Sequence, residues 1–323
     1  RKRLITIKNN EKKNRKGLDI LRGIGIAGIV LYHLFPSVFP GGFLGVPLFF
    51  VLSGYLMFTT SEWNWKKGSF HIWEYYKKRI LKILPALFTM VMTVCCYLTL
   101  THSSRMIGIR QEISSIFLGY NNWWQISQNT SYFSHVTSTS PFTHLWFLAI
   151  EIQFYLLWPF LFLLYKKCCR KFGSGKMCCL FLLLALISAG KMLFLYHPGS
   201  DPSRVYYGTD TMAFPLLLGI FLGAAGQAQN IFRRPASKRT RILFPAFLII
   251  LCILFLTIDG QQRFLYQGGM FSVSLLFACM IILTEKHDTL FRRLPDISLF
   301  SLLGKKSYAI YLWHYPLIIL ALA

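Results

Sequence analysis

Charged residues are scarce in this sequence of 323 residues. They make up 15% of the chain, whereas hydrophobic residues make up 54%, and the mean hydropathy is +0.47. A soluble domain typically carries about 25% charged residues, because its surface must be hydrated. The composition therefore excludes a soluble globular domain and indicates a polytopic membrane protein.

Acidic residues are the scarcest of the charged ones. There are 12 Asp and Glu against 35 Lys and Arg, which gives a net charge of +23. A basic excess can indicate a nucleic-acid partner when it covers a soluble surface. Here the basic residues fall in short segments between apolar spans. We therefore expect the lipid bilayer, and no nucleic acid, as a partner.

The sequence also lacks cysteines at the spacing of metal sites, and it lacks a signal-peptide cleavage site. Six of the eight cysteines form adjacent pairs, which is not the C-x2-C spacing of zinc sites. None lies in a predicted outer loop, so structural disulfides are not expected. No small-residue cleavage site follows the basic start, so we expect the first span to serve as its own signal.

Apolar stretches of about 17 to 22 residues can cross a hydrocarbon core of ~30 Å. They predict an all-α fold, a polytopic membrane bundle of about nine to ten transmembrane helices. The predicted spans lie near residues 18–36, 43–60, 80–100, 145–165, 177–196, 210–228, 242–258, 264–284 and 306–323. We expect a basic cytoplasmic arm at residues 1–16 and a transmembrane domain at residues 17–323.

The distribution of basic residues predicts the orientation. Lys and Arg accumulate in short cytoplasmic segments of membrane proteins, and 29 of the 35 fall in five alternate segments of this chain. Those segments are residues 1–16, 61–82, 165–176, 229–241 and 285–306. We therefore expect a multi-pass membrane protein with a cytoplasmic N-terminus.

The first span carries two residues that are costly inside a membrane, Arg22 and His33. Such side chains cost at least ~2.5 kcal/mol at the bilayer centre and usually mark function. At about 100° per residue, their spacing puts both on one helix face. Glu151 is a third such residue, and we expect it to meet Arg22, His33 or another polar partner. Asp19 is spaced to pair with Arg22.

Further polar side chains predict a path through the bundle. Two of them are tyrosines at an outer span mouth, for which a role in transfer and interfacial anchoring are both open. The candidates are Ser53, His144, Tyr206, Tyr207, Asp210 and His314.

The basic segment at residues 70–84 has two interpretations. It is amphipathic and aromatic, so it suits the membrane surface, but Lys77, Lys78 and Arg79 could also bind a phosphorylated ligand. Two alternatives are likewise open for Asn121 to Trp124, sugar stacking or an interfacial aromatic belt. Lys191 can point outward or into the interior.

Three glycines in the first span spell G-x-G-x-x-G, the fingerprint of dinucleotide-binding turns. That fingerprint requires a strand before the turn, whereas Gly23, Gly25 and Gly28 lie within an apolar span. Small residues in a span let another helix approach closely. The motif therefore predicts helix packing rather than a nucleotide site.

Five segments, taken together and in this order, resemble the membrane acyltransferase-3 family. The match extends over almost the whole chain. The segments are GLDILRGIGIAGIVLYH at 17–33, GVPLFFVLSGYL at 45–56, KKRILKILP at 77–85, HLWFLAIEIQFYLLWP at 144–159 and SYAIYLWHYPLI at 307–318.

Within that family, YYGTDT at 206–211 is most similar to bacterial peptidoglycan O-acetyltransferases. The resemblance implies a location in the bacterial plasma membrane and transfer of acetyl groups from cytosolic acetyl-CoA to the 6-hydroxyl of muramoyl residues outside. Met212 stands where it leads us to expect an arginine. Further spans and an extracytoplasmic SGNH hydrolase-like domain, carried by many such enzymes, lie outside this sequence. We expect such a part or a separate protein to complete the transfer.

The mechanism expected from this resemblance begins with the donor on the basic side. Guanidinium groups bind phosphates in a bidentate manner, and the residues expected to hold acetyl-CoA are Arg22, Lys77, Lys78 and Arg79. No metal is needed, since a thioester is already activated and no ligand set of His, Cys and Asp is present.

At the other end of the path, His33 is expected to act as a general base on the attacking hydroxyl. Imidazole suits this role because its unperturbed pKa is ~6.5, and Glu151 would orient or charge-balance it. Tyr206 or Tyr207 carries a transient acyl group, or the glycan hydroxyl attacks directly.

Two alternatives remain open. A transporter could use Arg22, His33 and Glu151 to line a polar path without covalent chemistry. An acyltransferase could instead act on another envelope polysaccharide, a lipid-linked sugar or a small molecule, with an acyl chain longer than acetyl.

Overall fold

The computed structural model of the chain describes residues 16–101, 108–133, 140–229, 238–287, 291 and 298–321. These residues form helices and connecting segments without a strand, which confirms the all-α class. The basic arm at residues 1–15 lies outside the described residues. The helices are α1 (Lys16–Leu34), α2 (Gly45–Lys66), α3 (Ile72–Thr101), α4 (Ile109–Phe117), α5 (Asn121–Ser127), α6 (Trp146–Phe172), α7 (Ser174–Leu195), α8 (Ser203–Tyr207), α9 (Thr209–Met212), α10 (Phe214–Gln229), α11 (Lys238–Thr257), α12 (Met270–Lys286) and α13 (Leu299–Ala321).

The chain is a multi-pass membrane protein. In its described part, seven helical segments are long and apolar enough to cross a bilayer. They are Lys16–Leu34, Gly42–Lys66, Ile72–Thr101, Thr143–Phe172, Ser174–Leu195, Thr209–Ala228 and Leu265–Lys286. The count of nine to ten is not confirmed, because the apolar part of α11, Ile242–Thr257, is short and α13 carries Lys305, Lys306 and His314.

The basic aromatic segment does not form a separate surface helix. It continues without interruption into the following span as α3, and Pro85 lies inside that helix. The Thr89 hydroxyl donates to the carbonyl of Pro85, four residues earlier in the same helix, at 2.9 Å. One continuous helix therefore carries the basic residues from the bundle edge towards its interior.

The centre of the bundle is built on two close helix pairs. In the first, Asp19 and Gly23 in the N-terminal half of α1 meet Gly304 and Phe300 near the start of α13. At the other end of both helices the rings of His33 and His314 meet, so α1 and α13 run parallel. In the second pair, Gly54 of α2 lies against the backbone of α10.

The glycines of the G-x-G-x-x-G stretch contact neighbouring helices, which confirms the packing interpretation. Gly23 lies against the Phe300 backbone of α13, and Gly25 lies against Gly45 and Leu48 of α2. The approach is closest at Gly23, where an added Cβ would lie 1.9 Å from the Phe300 carbonyl oxygen. Backbone-to-backbone contact at this point positions α1, and with it Arg22 and His33.

Gly23→Ala is therefore expected to lower the Tm of the purified protein in detergent. The added methyl meets backbone rather than a flexible side chain, and overpacking of this kind costs about 1 to 3 kcal/mol. Gly190→Ala is the matched control, since nothing lies within 4 Å of a Cβ there and Gly190 is also helical. Equal Tm values for the two variants would contradict the close α1–α13 approach.

Candidate active site

A cavity of about 160 Å³ lies inside the bundle between α1, α2, α3, α6 and α13. We call it the deep cavity. Four cationic side chains, Arg22, Arg79, Lys82 and Lys305, line it, whereas Glu151 is the one carboxylate in its described lining. A partly open cavity with this balance of charge favours an anionic ligand.

A second cavity, of about 300 Å³, adjoins the deep cavity on the side of the α2–α3 connection. We call it the basic vestibule. Its walls share Arg22, Arg79 and Lys82 with the deep cavity, and it extends to Ser69 and His71 in the connection. The two spaces together lead from an exposed connecting segment to Glu151.

Neighbouring side chains position the two arginines. Arg22 donates to the Asp19 carboxylate at 3.1 Å, which is the pair expected from their spacing. The Arg79 guanidinium lies 4.4 Å from the centre of the Tyr155 ring, a cation–π geometry. Both guanidinium groups are thus held at the walls of the cavities rather than free in solvent.

The basic residues of α3 do not contribute equally. Arg79 lines both cavities, and Lys78 lines the vestibule alone while it pairs with Glu74 at 3.2 Å. Lys77 is exposed and lines neither cavity. Lys82 was not singled out as a ligand from the sequence, although it lies one helical turn after Arg79 and that spacing could have identified it.

Glu151 meets a hydroxyl rather than a histidine. The Ser53 hydroxyl donates to Oε1 of Glu151, and both side chains line the deep cavity. Glu151 is 9% exposed. Its orientation of His33 stays a prediction that these contacts do not test.

Three histidines from distant parts of the chain meet at one end of the bundle. The ring centroids of His33 and His314 are 5.4 Å apart, and those of His144 and His314 are 5.5 Å apart. Tyr315 lies against His33 at 4.9 Å and against His144 at 5.2 Å. The sequence predicted each histidine as a candidate residue. It could not predict that they form a cluster, because that depends on which helices lie side by side.

Tyr311 joins this histidine cluster to the deep cavity. Its side chain lines that cavity, and its hydroxyl donates to the carbonyl of His144. The Tyr311 carbonyl lies 2.7 Å from Nδ1 of His314. Both ring nitrogens of buried His144, and Nε2 of His314, lack a hydrogen bond within the described residues. Buried nitrogens without a hydrogen-bond partner are unusual in folded proteins.

Tyr206 and Tyr207 are fully buried, so they do not anchor the protein at a lipid interface. The Tyr206 hydroxyl donates to the carbonyl of Phe43 at 3.3 Å, whereas the Tyr207 hydroxyl has no hydrogen bond in the part of the chain that is described. Tyr132 connects both to His33. Its ring lies 4.8 Å from that of Tyr206 and 6.2 Å from that of His33.

Tyr132 was missed in the sequence because no periodicity marks it. It lies in a connection rich in Ser and Thr, where spacing carries no information about contacts. The structure shows why it is held in place: its backbone amide donates to the Ser203 hydroxyl at 2.8 Å. That bond ties the connection to α8, which carries Tyr206 and Tyr207.

Comparison with known proteins places the chain in a family. A family model described as an acyltransferase domain matches residues 15–322. The chain belongs to this acyltransferase-3 family. The match includes both cavities, the histidine cluster and the buried tyrosines.

Relatives in this acyltransferase family include three bacterial proteins. The chain is 36% identical to the peptidoglycan O-acetyltransferase OatA of Listeria monocytogenes over 97% of its length and 51% of the relative. It is 37% identical to the putative peptidoglycan O-acetyltransferase YrhL of Bacillus subtilis over 94% of its length and 49% of the relative. It is 33% identical to the O-acetyltransferase OatA of Staphylococcus aureus over 94% of its length and 50% of the relative.

The chain thus spans about half the length of these relatives. No solved structure matches it. Within the described residues, no group of three or more His, Cys, Asp or Glu side chains is arranged to hold a metal ion.

Around the candidate site, the buried amides of α5 hold the framework together. Asn121 and Asn122 are fully buried, and Nδ2 of Asn122 donates to the carbonyl of Tyr207 at 3.0 Å and to the Thr209 hydroxyl at 2.9 Å. Asn122 therefore positions the tyrosine segment, and Nδ2 of Asn121 donates to the Ser115 hydroxyl at 3.0 Å. Neither buried amide faces a sugar from the surface.

Asp210 belongs to an ion cluster at the mouth of the bundle. Lys191 lies 2.7 Å from the Asp210 carboxylate, so its side chain points towards this cluster at the mouth of the bundle. Arg204 makes two contacts of 3.1 and 3.2 Å with the same carboxylate. Met212, in the position where the family resemblance led us to expect arginine, is fully buried. An uncharged side chain suits that environment.

Glu112 in α4 is a buried carboxylate outside the membrane-spanning helices. Burial raises the pKa of its carboxyl, and hydrogen bonds from Ser140 and Gln125 oppose that rise. The fold therefore favours the protonated form. This contribution to stability is complete below the unfolded carboxyl pKa of ~4.3 and is lost as the pH rises through the folded pKa.

Glu112→Gln is accordingly expected to raise the Tm at pH 7.5 by a few degrees, with a gain that shrinks as the pH is lowered. The amide keeps an acceptor for Gln125, which donates to Oε1 of Glu112 at 3.0 Å. Thermal unfolding in detergent measures the effect. Glu74→Gln, at a carboxylate that is 58% exposed, serves as the control. A Tm gain for Glu112→Gln that is independent of pH would contradict the buried-carboxylate account.

Proposed function

We propose that this chain is a transmembrane O-acyltransferase that takes acetyl groups from acetyl-CoA at the cytoplasmic side and passes them to a cell-envelope glycan. Muramoyl residues of peptidoglycan are the proposed acceptor. The names of the relatives support this choice, since two are described as acting on peptidoglycan and all as O-acetyltransferases. The proposal includes a cytoplasmic N-terminus.

One observation carries the proposal: the basic vestibule and the deep cavity form adjoining cationic spaces that end beside the histidine cluster. Coenzyme A is a multiply phosphorylated thioester, so its phosphates require several cations and its acyl end requires an enclosed space. Arg22, Arg79 and Lys82 line both cavities and fit the phosphates. Lys78 at the vestibule adds a further positive charge for the phosphates, whereas Lys77 has no role in donor binding in this proposal.

The acyl group then passes from the deep cavity to the outer end of the bundle. His33 removes a proton from the attacking hydroxyl, and the His314 ring packs against both His33 and His144 beside it. The attacking hydroxyl belongs to Tyr206, to Tyr207 or directly to the glycan. A free hydroxyl at Tyr207 favours that residue over Tyr206, whose hydroxyl is bonded to a carbonyl.

We also propose that an extracytoplasmic SGNH hydrolase-like domain or protein delivers the acetyl group to the glycan. This part of the proposal rests on the family resemblance. The relatives are about twice the length of the matched segment, which leaves room in them for a further domain.

Transfer of radiolabel from acetyl-CoA in membranes that contain this chain tests the proposal. Label is expected in protein and, when the outer partner and peptidoglycan are supplied, in alkali-labile esters of the glycan. Membranes without the chain are the blank. Label uptake into vesicles without ester formation would instead indicate a transporter, and no label above the blank would contradict both transfer and the proposed donor.

A further inference from the structure

The hydroxyl of Ser53 bonds across to another helix rather than within its own. Thr59, Thr89 and Ser274 each donate to the carbonyl four residues earlier in their own helix, which is the usual bond of such residues. Ser53 instead donates across to Glu151 on α6. This bond leaves the hydroxyl beside a carboxylate and within a cavity.

The Ser53–Glu151 pair is open to the deep cavity and lies in a cationic environment, and both properties suit a reaction. Ser53 is half-buried and, like Glu151, lines the deep cavity. Arg22, Arg79 and Lys82 line the same space, so negative charge that develops on a carbonyl oxygen there meets fixed cations. A hydroxyl that donates to a carboxylate, next to cations, has the parts of an activated nucleophile.

We propose that Ser53 is a nucleophile that receives the acyl group from the donor thioester, with Glu151 as its general base. This inference rests on the proposed function, because it takes the acyl-CoA thioester as substrate. It gives Glu151 a partner other than His33, and it divides the transfer into an inner step at Ser53 and an outer step at His33.

The inner step balances without a further reactant. Glu151 accepts the Ser53 hydroxyl proton while Oγ of Ser53 attacks the thioester carbonyl carbon. The carbon–sulfur bond then breaks, the ester on Ser53 forms, and the thiolate of coenzyme A leaves with the proton that Glu151 returns. Nothing is oxidised or reduced, and the ester retains enough energy for a second transfer to another hydroxyl.

The outer step has a route from this ester. Tyr311 lines the deep cavity with Ser53, and it also contacts His144 and His314. The acyl group on Ser53 therefore lies on the cavity side of Tyr311, while His33 lies among the histidines on its other side. Loss of His33 would stop the outer step and leave acyl groups on Ser53.

The test relies on acyl groups that accumulate on Ser53 when His33 is absent. Membranes containing the full chain with His33→Ala receive acetyl-CoA with isotopic label in the acetyl group, and the reaction is quenched in acid. Mass spectrometry of the digested chain is expected to find the acetyl mass increment on Ser53. Adding Ser53→Ala should abolish that modification, and adding Glu151→Gln should slow its formation by roughly 100-fold or more.

A Ser53→Cys version of the same chain provides a chemical signature. Its acyl group would be a thioester, which neutral hydroxylamine releases far faster than the serine ester. Thr59→Ala is the matched control on the same helix, since the Thr59 hydroxyl is bonded to its own helix and the residue does not line the cavity. It should retain full labelling of Ser53.

Two results separate failure of this inference from failure of the proposed function. The serine step is wrong, and acyl transfer stands, if Ser53→Ala still transfers acetyl to the outer acceptor at the rate of the parent chain. The same conclusion follows if Ser53 is not acetylated in the His33→Ala chain while the parent chain transfers acetyl. If neither protein nor glycan acquires label in the unmodified chain, the proposed function itself is wrong.

Discussion

Replacing His33 with alanine is expected to reduce transfer of acetyl groups to the outer acceptor by roughly 100-fold to 10,000-fold, the range for a lost general base. His33 lies in the last turn of α1, where its ring meets His314 and Tyr315. No other described histidine contacts both Tyr132 and Tyr315 in the same way. The measurement is the initial rate of acetyl ester formation on the glycan, at matched expression.

His197→Ala is the matched control for this loss. His197 is an exposed histidine in the connection after α7, bonded through Nδ1 to the Leu195 carbonyl, and its removal should leave the rate unchanged. A second readout separates catalysis from folding: the His33→Ala chain should still bind acetyl-CoA. Transfer at an undiminished rate without His33 would contradict its role as the outer base.

Replacing Arg79 with alanine is expected to raise the KM for acetyl-CoA by about 10-fold to 100-fold. Removing one charged hydrogen bond costs about 1.5 to 3 kcal/mol, and Arg79 lines both the vestibule and the deep cavity. Arg79→Lys should lose less, because it keeps the charge but not the bidentate geometry. Initial rates as a function of acetyl-CoA concentration measure the effect.

The control lies two residues away on the same helix. Lys77 is exposed and lines neither cavity, so Lys77→Ala should leave the KM unchanged, although it removes the same formal charge. Equal KM increases for Lys77→Ala and Arg79→Ala would mean that the net charge of the membrane surface attracts the donor. In that case the cavities would not be the donor site.

Much of the fold could be predicted from the sequence. Polar groups are costly in lipid, so membrane spans show as long apolar runs in the amino-acid sequence itself. Long apolar runs predicted most of the membrane helices, and the unusual positions of Arg22, His33 and Glu151 indicated function. The interpretation of the glycines at Gly23 and Gly25 as packing contacts was also correct, since small residues within a span have few other uses.

The pairing of helices could not be predicted in this way. Residues 33, 144 and 314 are far apart in the chain, and nothing local indicates that α1 and α13 run side by side. The basic segment at the start of α3 was ambiguous because an amphipathic pattern suits a membrane surface and a cavity wall equally. Tyr132 carried no signal, since its place depends on contacts with residues distant in the chain, among them Ser203, Tyr206 and His33.

The most direct test of the account uses sealed proteoliposomes with the donor on one side of the membrane and the acceptor on the other. Acetyl-labelled acetyl-CoA is added to the face that exposes the basic vestibule, while peptidoglycan fragments and the outer partner are supplied at the opposite face. The account predicts labelled acetyl esters on the glycan, at a rate that His33→Ala abolishes. Entry of intact acetyl-CoA or free acetate without ester formation would contradict it.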